Sequence, residues 1–188
     1  MNNKLRMFGV AVLILALITA VILGLLISPG HPLTLVLIAV LVVLPLIHRR
    51  MAKMQYLEWK PEYDIGIESI DMQHRRLVDL INSLQTAVDY STGEEYQRQV
   101  LDKLVDYTRT HFKYEEELME QNGYPEFVSH CAEHKRMIAR VDEVLEAYRQ
   151  DQEDAMKKAV VFLKGWFINH INGTDRQYSK FLIDKGVQ

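Results

Sequence analysis

Two short segments of the 188-residue chain each place a histidine four residues from a second side chain that can bind a metal. His111 and Glu115 form one pair, and His130 and His134 form the other. Residues four apart on an α-helix lie on the same face, about 6 Å from each other, so each pair could bind one metal ion or two adjacent ions. The spacing therefore indicates metal chemistry if both segments are helical.

Three more candidate ligands stand in other segments: His74 in an apolar helical pattern, His170, and Asp175 shortly after it. Each signal alone is ambiguous. A lone histidine on an apolar face is more often a hydrogen-bonded core residue, the H-x3-H spacing arises by chance, and H-x3-E can be an exposed polar pair. However, burying roughly five unpaired polar groups on four helices is costly unless something binds them, which favours a metal.

The number and types of these residues limit the choice of metal. Five imidazoles and two carboxylates are too many for one tetrahedral zinc ion. The single cysteine, Cys131, excludes an internal disulfide, a cysteine-based zinc site and an iron–sulfur cluster. Because carboxylates can bridge two ions, the set suits a dinuclear site of iron or manganese. Ferritin-like di-iron proteins instead use Glu-x2-His with carboxylates dominating, so a different kind of site is expected.

The segments that carry these residues have helical hydrophobic spacing, and none alternates with period two. Short loops between the helices require antiparallel neighbours, so the fold class is predicted to be all-α, an up-down-up-down four-helix bundle at 64–188. Residues 51–63 are expected to form a junction that packs on the bundle or on lipid. The predicted helices cover about 64–92, 94–122, 124–150 and 151–173, and a further helical piece is expected within 176–188.

Over about residues 58–181 the chain resembles the hemerythrins, specifically a bacterial hemerythrin domain fused to a membrane hairpin. Every ligand position of the family pattern is filled by the expected residue type, in the expected order. The resemblance is carried by W-K-P-E-Y-D-I-G-I-E-S-I-D-M-Q-H (59–74), H-F-K-Y-E-E (111–116), Y-P (124–125), H-x3-H (130–134) and W-F-I-N-H-I-N-G-T-D (166–175).

The resemblance implies a pair of non-haem iron ions that cycle between Fe2+ and Fe3+. It implies that the iron with two histidines keeps an open position, where dioxygen would bind reversibly as a ligand. The implied ligands are His74 and His111 for one iron, His130, His134 and His170 for the other, and Glu115 and Asp175 as bridges together with an oxo or hydroxo group.

The separation of His170 and Asp175 needs explanation. Five residues on a regular helix rotate by about 500°, so Asp175 would point away from the face of His170. Gly173 would allow the helix to unwind and bring the carboxylate back. Asp175 is equally explained as a helix C-cap, and the two roles are compatible.

Residues near the candidate ligands have two interpretations. Asp71 could accept a ring N–H from a ligand, or it could simply stabilise the first turn of its helix. Tyr114 and Tyr178 are candidate hydroxyls near the site. Cys131 points about 100° from the ligand beside it and is expected to be inert. Glu116, Glu117 and Glu120 are expected on a solvated face. Phe112, Leu118, Trp166, Phe167 and Ile168 would keep the site dry or be ordinary core.

No Asp, Glu, Lys or Arg occurs in residues 7–47. Residues 7–27 would span about 31 Å as a helix, which matches a hydrocarbon core of roughly 30 Å. A turn with two prolines follows. A shorter apolar run then reaches about 20 residues, 31–50, once its flanking side chains extend to the interface. The pattern predicts a transmembrane hairpin with spans at 7–27 and 31–50.

A cleaved signal peptide is the main alternative to this hairpin, but the first run is too long and a second one follows it directly. An interfacial or re-entrant second segment would instead place the bundle on the opposite side of the membrane. The turn holds no Lys or Arg, so the termini and the bundle are expected on the cytoplasmic side of the inner membrane. The basic residues that predict this orientation are Lys4, Arg6, Arg49, Arg50 and Lys53.

Three functions are compatible with the sequence. The first is membrane-tethered dioxygen binding, storage or delivery, including delivery to a membrane oxidase or oxygenase. The second is an O2 or redox sensor that acts through a membrane partner, and the third is a di-iron peroxidase or nitric-oxide-reducing enzyme. The third is disfavoured because no acid–base group beyond the ligands stands out. A net charge of −3 without a basic domain argues against nucleic acid as a partner.

Overall fold

Every regular element in the part of the chain that the computed structural model describes, residues 3–90, 92–150 and 152–187, is helical. No strand occurs in those ranges, which confirms the predicted all-α class. The chain divides into two compact units, Met1–Tyr56 and Leu57–Gln188. The first unit contains two apolar helices, and the second contains the candidate ligands.

The first unit is a helical hairpin of α1 (Asn3–Ile27) and α2 (Pro32–Gln55). The two helices approach closely at Gly24, where a Cβ atom would lie 2.7 Å from Thr34 Oγ1. Among the described residues, α1 is the one helix long and apolar enough to cross a membrane, over Phe8–Ile27 with a mean hydropathy of 3.2. An N-terminal signal sequence also meets these criteria of length and hydropathy.

The second predicted span, 31–50, is not confirmed. Its apolar part covers Pro32–Ile47, which falls short of the length needed. The helix itself continues beyond the apolar part to Gln55, because nothing in the basic segment after Ile47 breaks it. The side chains of Lys4, Arg6 and Lys53, on which the predicted orientation rests, lie outside the described residues.

The second unit is a four-helix bundle. Each helix contacts two others in a closed order: α3 with α4, α4 with α5, α5 with α6, and α6 with α3. The predicted start of the fourth helix at Asp151 lies outside the described residues. The helices are α3 (Glu68–Asp89), α4 (Glu94–Asn122), α5 (Phe127–Gln150) and α6 (Gln152–His170), followed by a π-helical turn (Ile171–Asp175) and α7 (Arg176–Asp184).

Helix α4 ends where the Asn122-Gly123 pair predicts. Gly123 has φ of 68°, a left-handed conformation that glycine adopts without steric strain. Its N–H bonds the Glu120 carbonyl, and the next N–H, of Tyr124, bonds the Met119 carbonyl. Helix α5 begins at Phe127, three residues later than predicted, because Tyr124 and Pro125 belong to the connecting turn. The turn at 123–126 therefore connects the two helices that carry four of the candidate ligands.

Residues 57–67, called the strap below, pack along α3 as an ordered lead-in to the bundle. The Asn82 side chain bonds both backbone groups of Leu57, accepting from its N–H at 2.9 Å and donating to its carbonyl at 2.8 Å. Asp71 accepts the N–H groups of Ile65 at 2.8 Å and Gly66 at 3.1 Å. Asp71 therefore anchors the strap, and the interpretation of it as an acceptor for a ligand histidine is wrong.

Candidate metal centre

The seven candidate ligands predicted from the sequence lie together in the interior of the bundle, toward the end at which α4 connects to α5. Helix α3 provides one, α4 and α5 provide two each, α6 provides one, and the π-helical turn provides the last. All are buried, with at most 6 % of any residue exposed. The residues brought together in this way are His74, His111, Glu115, His130, His134, His170 and Asp175.

The π-helical turn brings Asp175 back to the face of His170. A π-helix bonds residues five apart, whereas an α-helix bonds residues four apart, so the wider turn absorbs the rotation that separates the two side chains. Asp175 Oδ1 lies 3.0 Å from His170 Nε2. The turn that contains Gly173 rotates less per residue than an α-helix, which agrees with the expected unwinding, but the chain stays helical and continues into α7. For the same reason Asp175 does not cap a helix end.

The two carboxylates each divide their oxygens between two groups of imidazoles. Glu115 Oε1 lies 3.6 Å from His74 Nε2 and 3.4 Å from His111 Nε2. Its other oxygen, Oε2, lies 3.4 Å from His134 Nε2. Glu115 thus faces a two-imidazole group with one oxygen and a three-imidazole group with the other.

Asp175 repeats this division from the opposite side of the cluster. Its Oδ2 lies 3.5 Å from His74 Nε2, in the two-imidazole group. Its Oδ1 faces His170 and, at 3.7 Å, His130 Nε2, both in the three-imidazole group. Two carboxylates placed between the same two groups have the arrangement that a pair of bridging ligands requires.

The cluster contains buried polar atoms that lack hydrogen-bond partners in the described part of the chain. They are Nδ1 and Nε2 of His74, Oε2 of Glu115, Nδ1 of His130 and both oxygens of Asp175. In addition, His134 Nε2 lies 3.0 Å from His130 Nε2 and 3.1 Å from His170 Nε2. Each contact between two of these ring nitrogens can be bridged by at most one proton. All three nitrogens can, in contrast, bind the same cation. The donor set therefore fits metal ions.

The electrostatics of the cluster favour positive charge among the carboxylates. Burial lowers the pKa of His74, but attraction to the nearby carboxylates of Asp175 and Glu115 outweighs it and raises the pKa to about 9. Burial raises the pKa of both carboxyls, yet the histidines around them reverse that effect. The pKa of Glu115 falls well below its ordinary value, and the pKa of Asp175 falls to about 2. Both carboxylates are therefore charged at neutral pH.

The pKa values of two other histidines are lowered instead of raised. Burial lowers the pKa of His111 to about 4, and burial together with repulsion from His134 lowers the pKa of His130 to about 4. Both are neutral at physiological pH, which is the state in which an imidazole binds a metal.

Comparisons with known proteins agree with this geometry. The sequence model of the hemerythrin HHE cation-binding domain matches residues 65–182. The chain belongs to the hemerythrin family. It is 40 % identical to the bacteriohemerythrin of Stenotrophomonas maltophilia over 126 residues, 67 % of this chain and 81 % of that protein. A crystal structure of wild-type hemerythrin superposes with a TM-score of 0.59 at 28 % identity, over 67 % of this chain and 97 % of the other.

A more distant relative, the bacteriohemerythrin of Methylococcus capsulatus, is 29 % identical over 121 residues, 64 % of this chain and 92 % of that protein. The family implies a non-haem di-iron site, and the histidine–carboxylate cluster fits such a site. Each of these matches covers about two thirds of the chain, so the apolar hairpin is additional to the part that is similar to hemerythrins.

Two ring nitrogens of the hemerythrin site are held by partners that the sequence did not predict. His111 Nδ1 lies 3.0 Å from Gln73 Oε1, and His134 Nδ1 lies 2.9 Å from Glu116 Oε1. The prediction of Glu116 on a solvated face is wrong, because its carboxylate turns across from α4 to α5. In the sequence, only the position of Glu116 directly after Glu115 pointed to a role at the site. Helical spacing does not specify contacts between helices.

Tyr178 also contacts the hemerythrin site directly. Its hydroxyl donates to Glu115 Oε1, and the side chain is fully buried. Burial and the adjacent carboxylates, Glu115 first, raise the pKa of Tyr178 well above its ordinary value, so the hydroxyl keeps its proton. The other candidate hydroxyl, Tyr114, instead donates to Ser69 Oγ at 3.1 Å.

Aromatic rings enclose the imidazoles of the hemerythrin site. Phe112 stacks on His134 with ring centroids 3.7 Å apart, and Trp166 stacks on His170 at 4.2 Å. Phe167 meets the His74 ring edge-on at 5.7 Å. These contacts of Phe112, Trp166 and Phe167 limit the orientations of the imidazole rings and surround them with apolar groups.

Two cavities adjoin the site and differ in chemistry. One is a small, mainly apolar cavity of about 10 Å³, roughly the space for a single water-sized molecule. It borders His74 and His111 of the two-imidazole group, His170 of the three-imidazole group and Asp175. It extends between apolar side chains of the core, including Leu77, Leu104 and Leu163. The other, of about 240 Å³, is polar and borders His130.

Proposed function

We propose that this protein is a membrane-tethered di-iron hemerythrin that binds dioxygen reversibly. One observation carries the proposal: each of the two carboxylates directs one oxygen to a two-imidazole group and the other to a three-imidazole group. His74 and His111 would hold one iron, His130, His134 and His170 the other, and Glu115 and Asp175 would link the two. When bound, such an iron pair supplies two electrons to dioxygen and recovers them on release.

The two-imidazole end favours a small apolar gas as the ligand. It has one protein ligand fewer than the other end, and both of its histidines line the apolar cavity of about 10 Å³, which His170 of the other end also borders. Thr108 borders this cavity, but its hydroxyl already donates to the Leu104 carbonyl at 2.8 Å and does not compete for the ligand. The surrounding side chains exclude water, which protects a bound, partly reduced ligand from protonation and loss.

Membrane tethering is the second part of the proposal. Helix α1 exposes large apolar side chains along its length, including Phe8, Leu13, Leu15 and Ile27. An apolar surface of this extent is unfavourable in water and favourable in a bilayer. With α2 as the returning helix, the basic residues on both sides of the hairpin favour a cytoplasmic bundle in the inner membrane. The site would then bind or deliver dioxygen at the membrane surface.

A sensor role is the second candidate function, and the strap favours it. The strap is the covalent connection from the apolar hairpin to the bundle, and it passes over the site. Trp59, within the strap, places its ring centroid 6.2 Å from that of His74 and stacks under the guanidinium of Arg75 at 5.3 Å. A shift of His74 with ligand or redox state would therefore reach the strap through Trp59.

Optical spectroscopy of the full chain tests reversible binding. The chain is purified in detergent, loaded with Fe2+ without oxygen, exposed to air and then flushed with argon. A visible charge-transfer absorption that appears in air and disappears under argon is expected. Immediate, irreversible oxidation would contradict the proposal and favour the sensor. His74→Ala should abolish the absorption, whereas His31→Ala, which changes a histidine of the apolar hairpin, should leave it intact.

A further inference from the structure

The polar cavity that His130 lines lies at the surface of the bundle, and we call it the vestibule. Its lining ranges from exposed to buried residues. Glu126, Ser129 and Gln177 are exposed, whereas Tyr124, Glu133 and Thr174 are half-buried. His130, at the inner end, is only 2 % exposed. The vestibule is thus a tapered polar opening with an imidazole at its end.

His130 is an imidazole of the three-imidazole group whose outer ring nitrogen lacks a partner among the described residues, and His74 has the same feature in the two-imidazole group. The Nε2 of His130 faces the rest of the site, whereas its Nδ1 is buried without a hydrogen-bond partner among the described residues. His134, in the same three-imidazole group, has its Nδ1 held by Glu116. Histidine ligands nearly always bond through the second nitrogen, because that bond fixes the ring. The ring of His130 lacks this restraint at the place where it lines the vestibule.

The charge of the vestibule suits a cation. Glu126 and Glu133 contribute two carboxylates, of which Glu133 also pairs with Arg136 on the outer surface of α5. No Lys or Arg is among the lining residues, and Arg176, which precedes the lining residue Gln177, donates to the backbone carbonyl of Glu62. Carboxylate, hydroxyl and amide oxygens replace water around a divalent ion at little cost. The apolar cavity that borders His74 and His111 has no comparable set of oxygen ligands to replace the water around the ion.

We propose that the vestibule captures hydrated Fe2+ and passes it to His130, so that iron enters the site from the three-imidazole side. This inference rests on the proposed di-iron function. The two openings then have separate tasks: a polar route for the metal and an apolar space for the gas. The first transfer exchanges water ligands of the ion for imidazole nitrogen, and the ion stays Fe2+ throughout.

The rate of iron uptake tests the vestibule. The full chain, stripped of iron in detergent, is mixed with Fe2+ without oxygen, and samples are quenched with a chromogenic Fe2+ chelator. The double variant Glu126→Gln/Glu133→Gln should take up iron about 3- to 10-fold more slowly, because electrostatic steering is lost. Its uptake should also depend less on salt, since screening acts on those charges. The final iron content should equal that of the unmodified chain.

Two matched controls separate the vestibule from general surface charge. Glu143→Gln removes a carboxylate that, like Glu133, pairs with an arginine three residues away on α5, and it should leave the rate unchanged. Ser129→Lys places a cation at the entrance and should slow uptake further, whereas Ser83→Lys on α3 should not. Uptake at the unmodified rate in both vestibule variants would overturn the inference. An unmodified chain that binds no iron would overturn the proposed function, and the vestibule with it.

Discussion

Glu116 Oε1 accepts a hydrogen bond from His134 Nδ1 at 2.9 Å, across the interface between α4 and α5. The same helix turn thus contributes two neighbouring carboxylates with different tasks. Glu115 faces the ring nitrogens at the centre of the site, and Glu116 orients one of those rings from outside. A carboxylate in this position fixes the tautomer of the imidazole and strengthens it as a ligand.

Replacing Glu116 should weaken metal binding without unfolding the bundle. We expect Glu116→Ala to lower iron affinity by about 10- to 100-fold, because the His134 ring loses the partner that fixes it. Competition with a chelator of known affinity measures the effect. Glu117→Ala, which removes an exposed carboxylate on the same helix, is the control. Equal affinities in the two variants would exclude a role for Glu116 at the site.

The Tyr178 hydroxyl should contribute to stability through Glu115. Tyr178→Phe removes a donor to a buried carboxylate and is expected to lower the free energy of unfolding by about 1.5–3 kcal/mol, as for hydrogen bonds to charged groups. Tyr114→Phe removes a hydroxyl that bonds Ser69 instead, and its effect should be nearer 1 kcal/mol. Denaturant titration of both variants gives the comparison, and a smaller loss for Tyr178→Phe would contradict it.

The stability of the iron-free protein should have a maximum near pH 6.5. The pKa of His74 is raised to about 9, so its contribution is complete below pH 6.5 and is lost as the pH rises toward 9. The pKa values of His111 and His130 are lowered to about 4. The unfolded chain therefore takes up protons that the folded chain does not, and stability falls as the pH drops from 6.5 toward 4.

Denaturant midpoints of the iron-free chain at pH 5, 6.5 and 8.5 measure this dependence. His74→Asn should reduce the decline on the alkaline side, and His134, whose pKa is also raised by Glu115 and Glu116, should account for the decline that remains. A midpoint that stays constant from pH 6.5 to 8.5 in the unmodified chain would contradict the raised pKa of His74.

Two glycines, one at the end of α4 and one in the π-helical turn, should respond differently to the same substitution. Gly123 has φ of 68°, so Gly123→Ala should destabilise the bundle by about 1–2 kcal/mol through backbone strain. Gly173, in the π-helical turn, has no positive φ, and an added Cβ would meet nothing within 4 Å. Gly173→Ala is therefore expected to be neutral or stabilising by up to about 1 kcal/mol. Thermal melts of both variants test this, and a large loss for Gly173→Ala would show that the turn needs glycine.

The proposed topology predicts where thiol reagents can react in cells. In a Cys131→Ser background, Ser28→Cys lies in the turn between α1 and α2 and should react with a membrane-impermeant maleimide from outside the inner membrane. Ser83→Cys, exposed on α3, should react only after the membrane is permeabilised. Reaction of both cysteines from the same side would contradict the hairpin.

The sequence by itself determined the helices, the all-α class and which seven side chains to consider. Helical spacing is a local property, so His111 with Glu115, and His130 with His134, could be placed on common faces before any tertiary contact was known. Composition was equally informative about the apolar first third of the chain, although the second of the two predicted spans is shorter than a bilayer requires.

Only the tertiary structure decided the relationships between elements. The π-helical turn that brings Asp175 beside His170 lies between α6 and α7. Gln73 and Glu116 reach rings on other helices, and Asp71 holds the strap instead of a ligand. Such contacts depend on the rotation and register of packed helices, which no single-helix pattern encodes. The division of the carboxylate oxygens between two imidazole groups, on which the function rests, is of the same kind.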